Sequence, residues 1–269
     1  MTQSDKAFTG SIPALYDSYL GPMLFEPYAA DLAARVAALE PSAVLETAAG
    51  TGIVTMRLAD VLSEDASITA TDLNQAMIDT AAAKTNPRKI DWLTCDATQL
   101  PFADGSFDCV LCQFGVMFFP SKVDAFKEAL RVLRPGGTFL FSVWDKIESN
   151  PISNAMSDAI AAHFPEDPPN FLRRTPFGHH DVEPIRRQLG EAGFGTIEFD
   201  FVTLPSVCPS PRNAAVGQCH GSPLRSEIEA RDGTGLAAAT DAVTAGLVAR
   251  FGEGPISSTM QAIIFTAAK

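Results

Sequence analysis

The chain has 269 residues, of which 46% are hydrophobic and 19% charged, and its formal net charge is −12 at pH 7. Such a composition suits a globular chain with a full core and excludes extended disorder. The acidic balance, with no basic cluster beyond the pairs Arg173-Arg174 and Arg186-Arg187, argues against a nucleic-acid partner.

The opening stretch MTQSDKAFTG lacks the apolar run of a signal segment. No stretch reaches the length of a membrane span, so a cytoplasmic protein is expected. The five cysteines do not suggest a disulfide framework. Cys109 and Cys112 lie in FDCVLCQF, which reads as a strand, and residues three apart on a strand face opposite ways. Cys208, Cys219 and His220 lack a matching fourth ligand, so no metal site is expected.

From residue 42 onward, short apolar runs alternate with helical patterns. SAVLETA (42–48) reads as a first strand, followed by a helix whose Ile53, Met56, Leu58 and Leu62 suit one face. SITATD (67–72) is a second strand, with Asn74 as the N-cap of the next helix. KIDWLTCDA (89–97), FDCVLCQF (107–114) and GTFLFSVW (137–144) are the third to fifth strands, with a helix over KVDAFKEALRVL before the fifth. This order implies right-handed βαβ crossovers and a mostly parallel sheet covered on both faces.

Beyond Trp144 the rhythm loosens into a Pro-, Asn- and aromatic-rich segment with one helix. A helix near DVEPIRRQLGEAG and a strand over 195–205 follow. About fifty residues with one helical stretch around ATDAVTAGLVARF then precede a closing strand over 259–268. Both irregular segments read as insertions on one sheet. The expected organisation is a single domain: N-terminal lid helices over 1–40 and a cofactor-binding core over 41–145. Substrate caps take 146–180 and 206–256, and the rest of the sheet takes 181–205 and 257–269.

The stretch VLETAAGTG (44–52) holds Gly50 and Gly52 where a first strand turns into a helix. Glycine there permits unusual backbone angles and close approach of a ligand, although a tight turn alone would also call for it. Asp72, twenty-two residues after Gly50, stands at the end of the second strand, where an acid can bind ribose hydroxyls. The dinucleotide fingerprint fails, because Thr55 or Ile53 stands at its last glycine position. None of Tyr16, Tyr19 and Tyr28 has a lysine four residues later, which argues against a short-chain reductase.

Taken in order, VLETAAGTG, ATDLNQAMI, CDATQLPFADGSFDCVLCQFGVMFF and EALRVLRPGGTFLFSVW resemble the motifs of class I S-adenosylmethionine-dependent methyltransferases of the small-molecule type, which include quinone and natural-product enzymes. The resemblance covers about 44–144. It implies an α/β, Rossmann-like, doubly wound fold: a seven-stranded, mostly parallel sheet with an antiparallel final strand, plus lid insertions. S-adenosyl-L-methionine is the implied cofactor. Its site would be formed by Glu46, Ala48, Gly50, Gly52, Asp72, Leu73, Met77, Asp96, Ala97, Gln113 and Phe114. In that carry-over Asp72 takes the ribose, Leu73 and Met77 cover an adenine face, and Asp96 and Ala97 meet the base edge. Gln113 and Phe114 lie toward the methionine end, and Met77 is equally well read as a core residue. Ala48 departs from the family's glycine; its methyl costs little while its φ stays negative, and it narrows the cleft.

Gln113-Phe114-Gly115-Val116 is not the Asn/Asp-Pro-Pro-Tyr motif of adenine or glutamine methylation. Aromatic-rich stretches at Tyr16, Tyr19, Phe25 and Tyr28 and at Phe171 and Phe177 suit a small, partly apolar acceptor, although the first group suits packing on the sheet edge equally. Tyr19, His179, His180 and His220 are the weak candidates for a catalytic base. A rival reading is a catalytically silent relative that serves as a binding or assembly subunit. The sequence leaves homo-oligomerisation open.

Overall fold

A computed structural model describes residue 8 and residues 10–231 and 235–269. The opening stretch read above therefore lies largely outside the described residues. The elements run α1 (Ile12–Leu15), a π-helix (Tyr16–Phe25), α2 (Glu26–Ala37), β1 (Ala43–Glu46), α3 (Ile53–Val61), β2 (Ser67–Asp72), α4 (Gln75–Ala82), β3 (Asp91–Thr94) and β4 (Phe107–Gln113). They continue with α5 (Lys122–Val132), β5 (Leu133–Trp144), α6 (Pro151–His163), α7 (Phe171–Arg174), α8 (Val182–Ala192) and β6 (Thr196–Cys208). The described chain closes with α9 (Pro211–His220), α10 (Leu224–Arg231), α11 (Gly235–Phe251) and β7 (Ile256–Ala268).

The seven strands form one sheet in the order β3-β2-β1-β4-β5-β7-β6. β1 to β5 pair in parallel, with Glu46 beside Ala70 on one side and beside Leu111 on the other. β7 is antiparallel: Lys269 exchanges main-chain bonds with Gly136 and Gly137, whereas Asp145 donates to Gln261 eight residues back along β7. The expected fold class is the observed one. Strand order reverses between β1 and β4, which makes their carboxyl ends the switch point where such sheets bind ligands.

Two compact units divide the described chain. One, the core unit, comprises Tyr28–Val143, His180–Val202 and Ala262–Lys269. Its centre is a pile of phenylalanines. Phe139 and Phe141, two residues apart on β5, share a face, and their ring centroids lie 4.9 Å apart. Phe265 stacks on Phe141 at 4.9 Å and Phe194 on Phe139 at 5.8 Å. Truncating one such buried ring to alanine costs about 3–5 kcal/mol. Tyr28 is fully buried; its hydroxyl donates to the Val202 carbonyl at 2.9 Å, which is the sheet-edge packing role. Arg131 gathers the loop before β4, donating to the Leu100 and Phe102 carbonyls and pairing with Asp104 and Glu128.

The other unit comprises Trp144–His179, Thr203–Gln261 and the described N-terminal residues up to Pro27. It therefore contains most of the residues expected as caps. Its helices meet through small residues. A side chain on Gly217 of α9 would come within 2.8 Å of Tyr19 on the π-helix, and one on Gly246 of α11 within 2.6 Å of Ala159 on α6. The π register agrees with Pro22, which has no N–H to give, and the Glu26 N–H closes the helix on the Gly21 carbonyl five residues back. Glu227 of α10 caps α7 by accepting from the Asn170 and Phe171 N–H groups and pairs with Arg174. The region around 206–256 holds three helices, not the single one expected, since α9 and α10 carry too few apolar residues to show a period.

Candidate functional site

β1 ends at Glu46, which is buried beneath the glycine loop. Its carboxyl accepts from the Thr55 hydroxyl at 2.6 Å, and burial, despite that bond, pushes its pKa up to about 8. This need for a donor turns α3. The inward face is Val54, Thr55 and Leu58 and includes neither Ile53 nor Met56, because Thr55 must face the acid. The nearby Cys112 thiol is also pushed up by burial, to about 12.

Asp72, at the end of β2, is buried and accepts from the main-chain N–H of Gly50 at 2.9 Å and of Asn74 at 2.8 Å. Burial raises its pKa, against the opposing pull of those N–H groups. Asn74 occupies the N-cap position of α4 but does not cap with its side chain. Its amide turns back to donate to Asp72 at 3.3 Å, since a buried carboxylate demands donors more strongly than a helix end open to water.

The two glycines of the loop separate in role. Gly50 has φ +57, nothing lies within 4 Å of where a side chain would begin, and its N–H is spent on Asp72. Gly52 has φ +76, but a side chain there would meet the Trp92 ring at 2.8 Å and Ala81 at 3.0 Å. Close approach of a ligand is thus an argument for Gly50 only, while packing of Trp92 explains Gly52.

Ala48 does not keep the negative φ on which its low cost depended. Its φ is +53, so an L-residue stands in the left-handed region, at about 1–2 kcal/mol. Its methyl lies where a side chain on Gly115 would fall, 2.5 Å away, so glycine at 115 makes room for alanine at 48. Phe114 also has positive φ, +52, and its ring meets Tyr28 edge-on at 5.3 Å. Backbone strain thus gathers at the carboxyl ends of β1 and β4, where ligand sites often hold it.

The remaining expected residues also belong to the core unit. Leu73 is 48% exposed, whereas Met77 is buried and fits the core reading. Asp96 is exposed and spends one oxygen on the N–H and hydroxyl of Thr98, with Ala97 within that turn. Gln113 pairs in register with Ser142 of β5. The carboxyl end of β4 is apolar, with Phe114, Val116 and Met117 all buried.

Of the candidate bases, His180 belongs to the core unit and Tyr19, His179 and His220 to the other. His220 lies 3.0 Å from the Thr240 hydroxyl. That hydroxyl gives its proton to the Leu236 carbonyl, so the His220 ring nitrogen Nε2 is the donor and the imidazole is held as one tautomer. Burial, with Arg225 and Arg212 nearby, lowers its pKa and keeps it neutral. Sequence reasoning assigned no part to Thr55, Trp92 or Gly115, because what each does depends on a contact with a residue distant in sequence. Among the described residues no group of His, Cys, Asp or Glu could hold a metal ion, and no helix is long and apolar enough to cross a membrane.

A doubly wound sheet with an acid closing β1, a glycine turn and an acid closing β2 defines a Rossmann-like fold, and residues 45–141 match the family described as a methyltransferase domain. That match is a similarity to a methyltransferase domain over the β1 to β5 region of the chain. The chain is similar to the ubiquinone/menaquinone biosynthesis C-methyltransferase UbiE of Proteus mirabilis, at 27% identity over 174 residues, covering 60% of this chain and 69% of that protein. In fold it resembles the YcgJ protein of Bacillus subtilis, with a TM-score of 0.59, 17% identity, and coverage of 90% and 98% of the two chains. It also resembles phosphoethanolamine N-methyltransferase 2 of Haemonchus contortus, solved with S-adenosylhomocysteine, with a TM-score of 0.59, 18% identity, and coverage of 98% of this chain and 59% of the other.

Proposed function

We propose that the protein transfers the methyl group of S-adenosylmethionine to a small, partly apolar acceptor. Glu46, Ala48, Gly50, Asp72, Leu73, Asp96, Ala97, Gln113 and Phe114 line the cofactor, with Gly52 and Met77 shaping the loop and helix behind them. The observation that carries this reading is Asp72, a buried carboxylate held by the N–H of Gly50 at the mouth of a turn with open space over Gly50. A ligand without phosphate needs no anion hole there, and the Asp72 carboxylate beside the turn suits one that carries positive charge.

When bound, S-adenosylmethionine supplies an electrophilic methyl on a sulfonium, and much of the rate comes from alignment. The chain's own part is to seat the ribose on Asp72, exclude water with the apolar end of β4, and hold the acceptor in line. The relatives named for C-methylation in ubiquinone/menaquinone biosynthesis, with the apolar residues Phe114, Val116 and Met117, support an acceptor with an apolar ring.

Calorimetric titration of S-adenosylmethionine and S-adenosylhomocysteine into the wild-type protein and Asp72→Ala tests the reading. Micromolar binding that weakens about tenfold or more in the variant supports it, as expected for losing a charge-assisted bond. Absence of binding by the wild type would sink it in favour of a silent binding subunit.

A further inference from the structure

The carboxyl end of β4 is held by three other elements, all within the core unit. Phe114 leaves the strand with φ +52, a left-handed conformation that a bulky residue keeps only where its surroundings impose it. Its N–H is shared between the carbonyl and the hydroxyl of Ser142 on β5, each 3.1 Å away. Its ring meets the ring of Tyr28 on α2 edge-on, with centroids 5.3 Å apart. Tyr28 is itself anchored, since its hydroxyl donates to the Val202 carbonyl of β6. Beyond Phe114 the chain runs against the glycine loop, where a side chain on Gly115 would fall 2.5 Å from the methyl of Ala48.

Strain fixed from several sides in this way is characteristic of residues that clamp a ligand. The place of Phe114 in the sheet says which part of a ligand that is. In the order β3-β2-β1-β4, Asp72 closes β2 and Phe114 follows β4, two strand spacings or roughly 10 Å apart across the glycine loop. A nucleoside with its ribose on Asp72 and its base toward β3 directs its 5′ substituent over the loop to β4.

We propose that Tyr28 and Ser142 are positioning residues for the amino-acid end of S-adenosylmethionine, acting through Phe114, an inference that rests on the methyltransferase reading above. Both are fully buried and act without reaching the ligand themselves. Tyr28 sets the ring of Phe114 and Ser142 sets its main chain. The strand end that receives the 5′ substituent is thus fixed before any ligand arrives, which spares the cost of ordering it on binding. The ribose site does not depend on either residue, because Gly50 and Asn74 hold the Asp72 carboxylate. The influence of the pair is therefore confined to one end of the cofactor.

The test is calorimetry on the full chain with two probes that share adenosine and sulfur: S-adenosylhomocysteine, and 5′-methylthioadenosine, which lacks the amino-acid end. The wild type is expected to bind S-adenosylhomocysteine about tenfold or more tighter than 5′-methylthioadenosine. Tyr28→Leu and Ser142→Ala are each expected to weaken S-adenosylhomocysteine about fivefold or more, and 5′-methylthioadenosine by less than about twofold. Tyr28→Phe, which keeps the ring, should restore the wild-type ratio. Asp72→Ala should weaken both probes alike, because the ribose is common to them. A merely structural role would lower both affinities together in Tyr28→Leu or Ser142→Ala, and that outcome, or an unchanged ratio, would overturn the proposal. A wild type without the preference for S-adenosylhomocysteine would overturn it as well. If Tyr28→Leu does not fold, Ser142→Ala, which deletes a single oxygen, decides alone. A wild type that binds neither probe would instead remove the methyltransferase reading, and the proposal with it.

Discussion

The glycine loop after β1 and the end of β5 both bury carboxylates, but they treat them in opposite ways. Around the loop, Glu46 and Asp72 are answered by Thr55, Gly50 and Asn74, so the acids help to build the turn before any ligand arrives. Just beyond β5, the Asp145 carboxylate accepts no hydrogen bond from the described residues and is open to solvent. Acids of the first kind are architecture that a ligand borrows. One of the second kind is left to solvent.

The largest combined effect, on stability and cofactor affinity together, is expected at Asp72. Asp72→Ala removes the acceptor for two main-chain N–H groups as well as the ribose contact, so it should lose about 1–3 kcal/mol of stability in urea unfolding together with its cofactor affinity. If only the affinity falls, Asp72 is less architectural than the contrast requires.

Next comes Gly52→Ala, which adds left-handed strain to a clash with Trp92 and should cost about 2–3 kcal/mol, read from the urea midpoint. Gly50→Ala, with the strain but no clash, should cost about half as much and weaken cofactor binding more. Equal losses of stability would erase the distinction between the two glycines.

Glu46 sharpens the comparison through pH. With its folded pKa near 8 against 4.5 when exposed, the native state binds more protons than the unfolded state between those values. Its contribution to stability is therefore best at low pH and declines as pH rises through that window. Glu46→Gln should flatten that decline, by about 1 kcal/mol or more, in thermal melts across the window. The smallest effect is expected of Ala48→Gly, which relieves φ +53 and should gain about 0.5–1 kcal/mol in the same urea assay.

Much of the core was legible because its signals are local. Short β-prone runs between helical patterns marked β2 and β4 to the residue or nearly so, and Gly50 and Asp72 stand in a spacing that a doubly wound sheet dictates. What sequence could not show depends on contacts between distant residues. The positive φ of Ala48 is tolerated because residue 115 is glycine, the need for Gly52 comes from Trp92, and the inward turn of Thr55 comes from Glu46. The helices α9 and α10 went unread because small and polar residues pack well yet carry no period.

The tryptophan that packs on Gly52 has a practical consequence. The chain holds two tryptophans, Trp92 in the core unit and Trp144 in the other. Each compact unit thus carries its own optical label at no cost in engineering. With Trp92→Phe and Trp144→Phe in hand, one emission spectrum follows the melting of each half. Coincident curves would mean that the chain unfolds as one cooperative body, and separated curves would show which half lets go first.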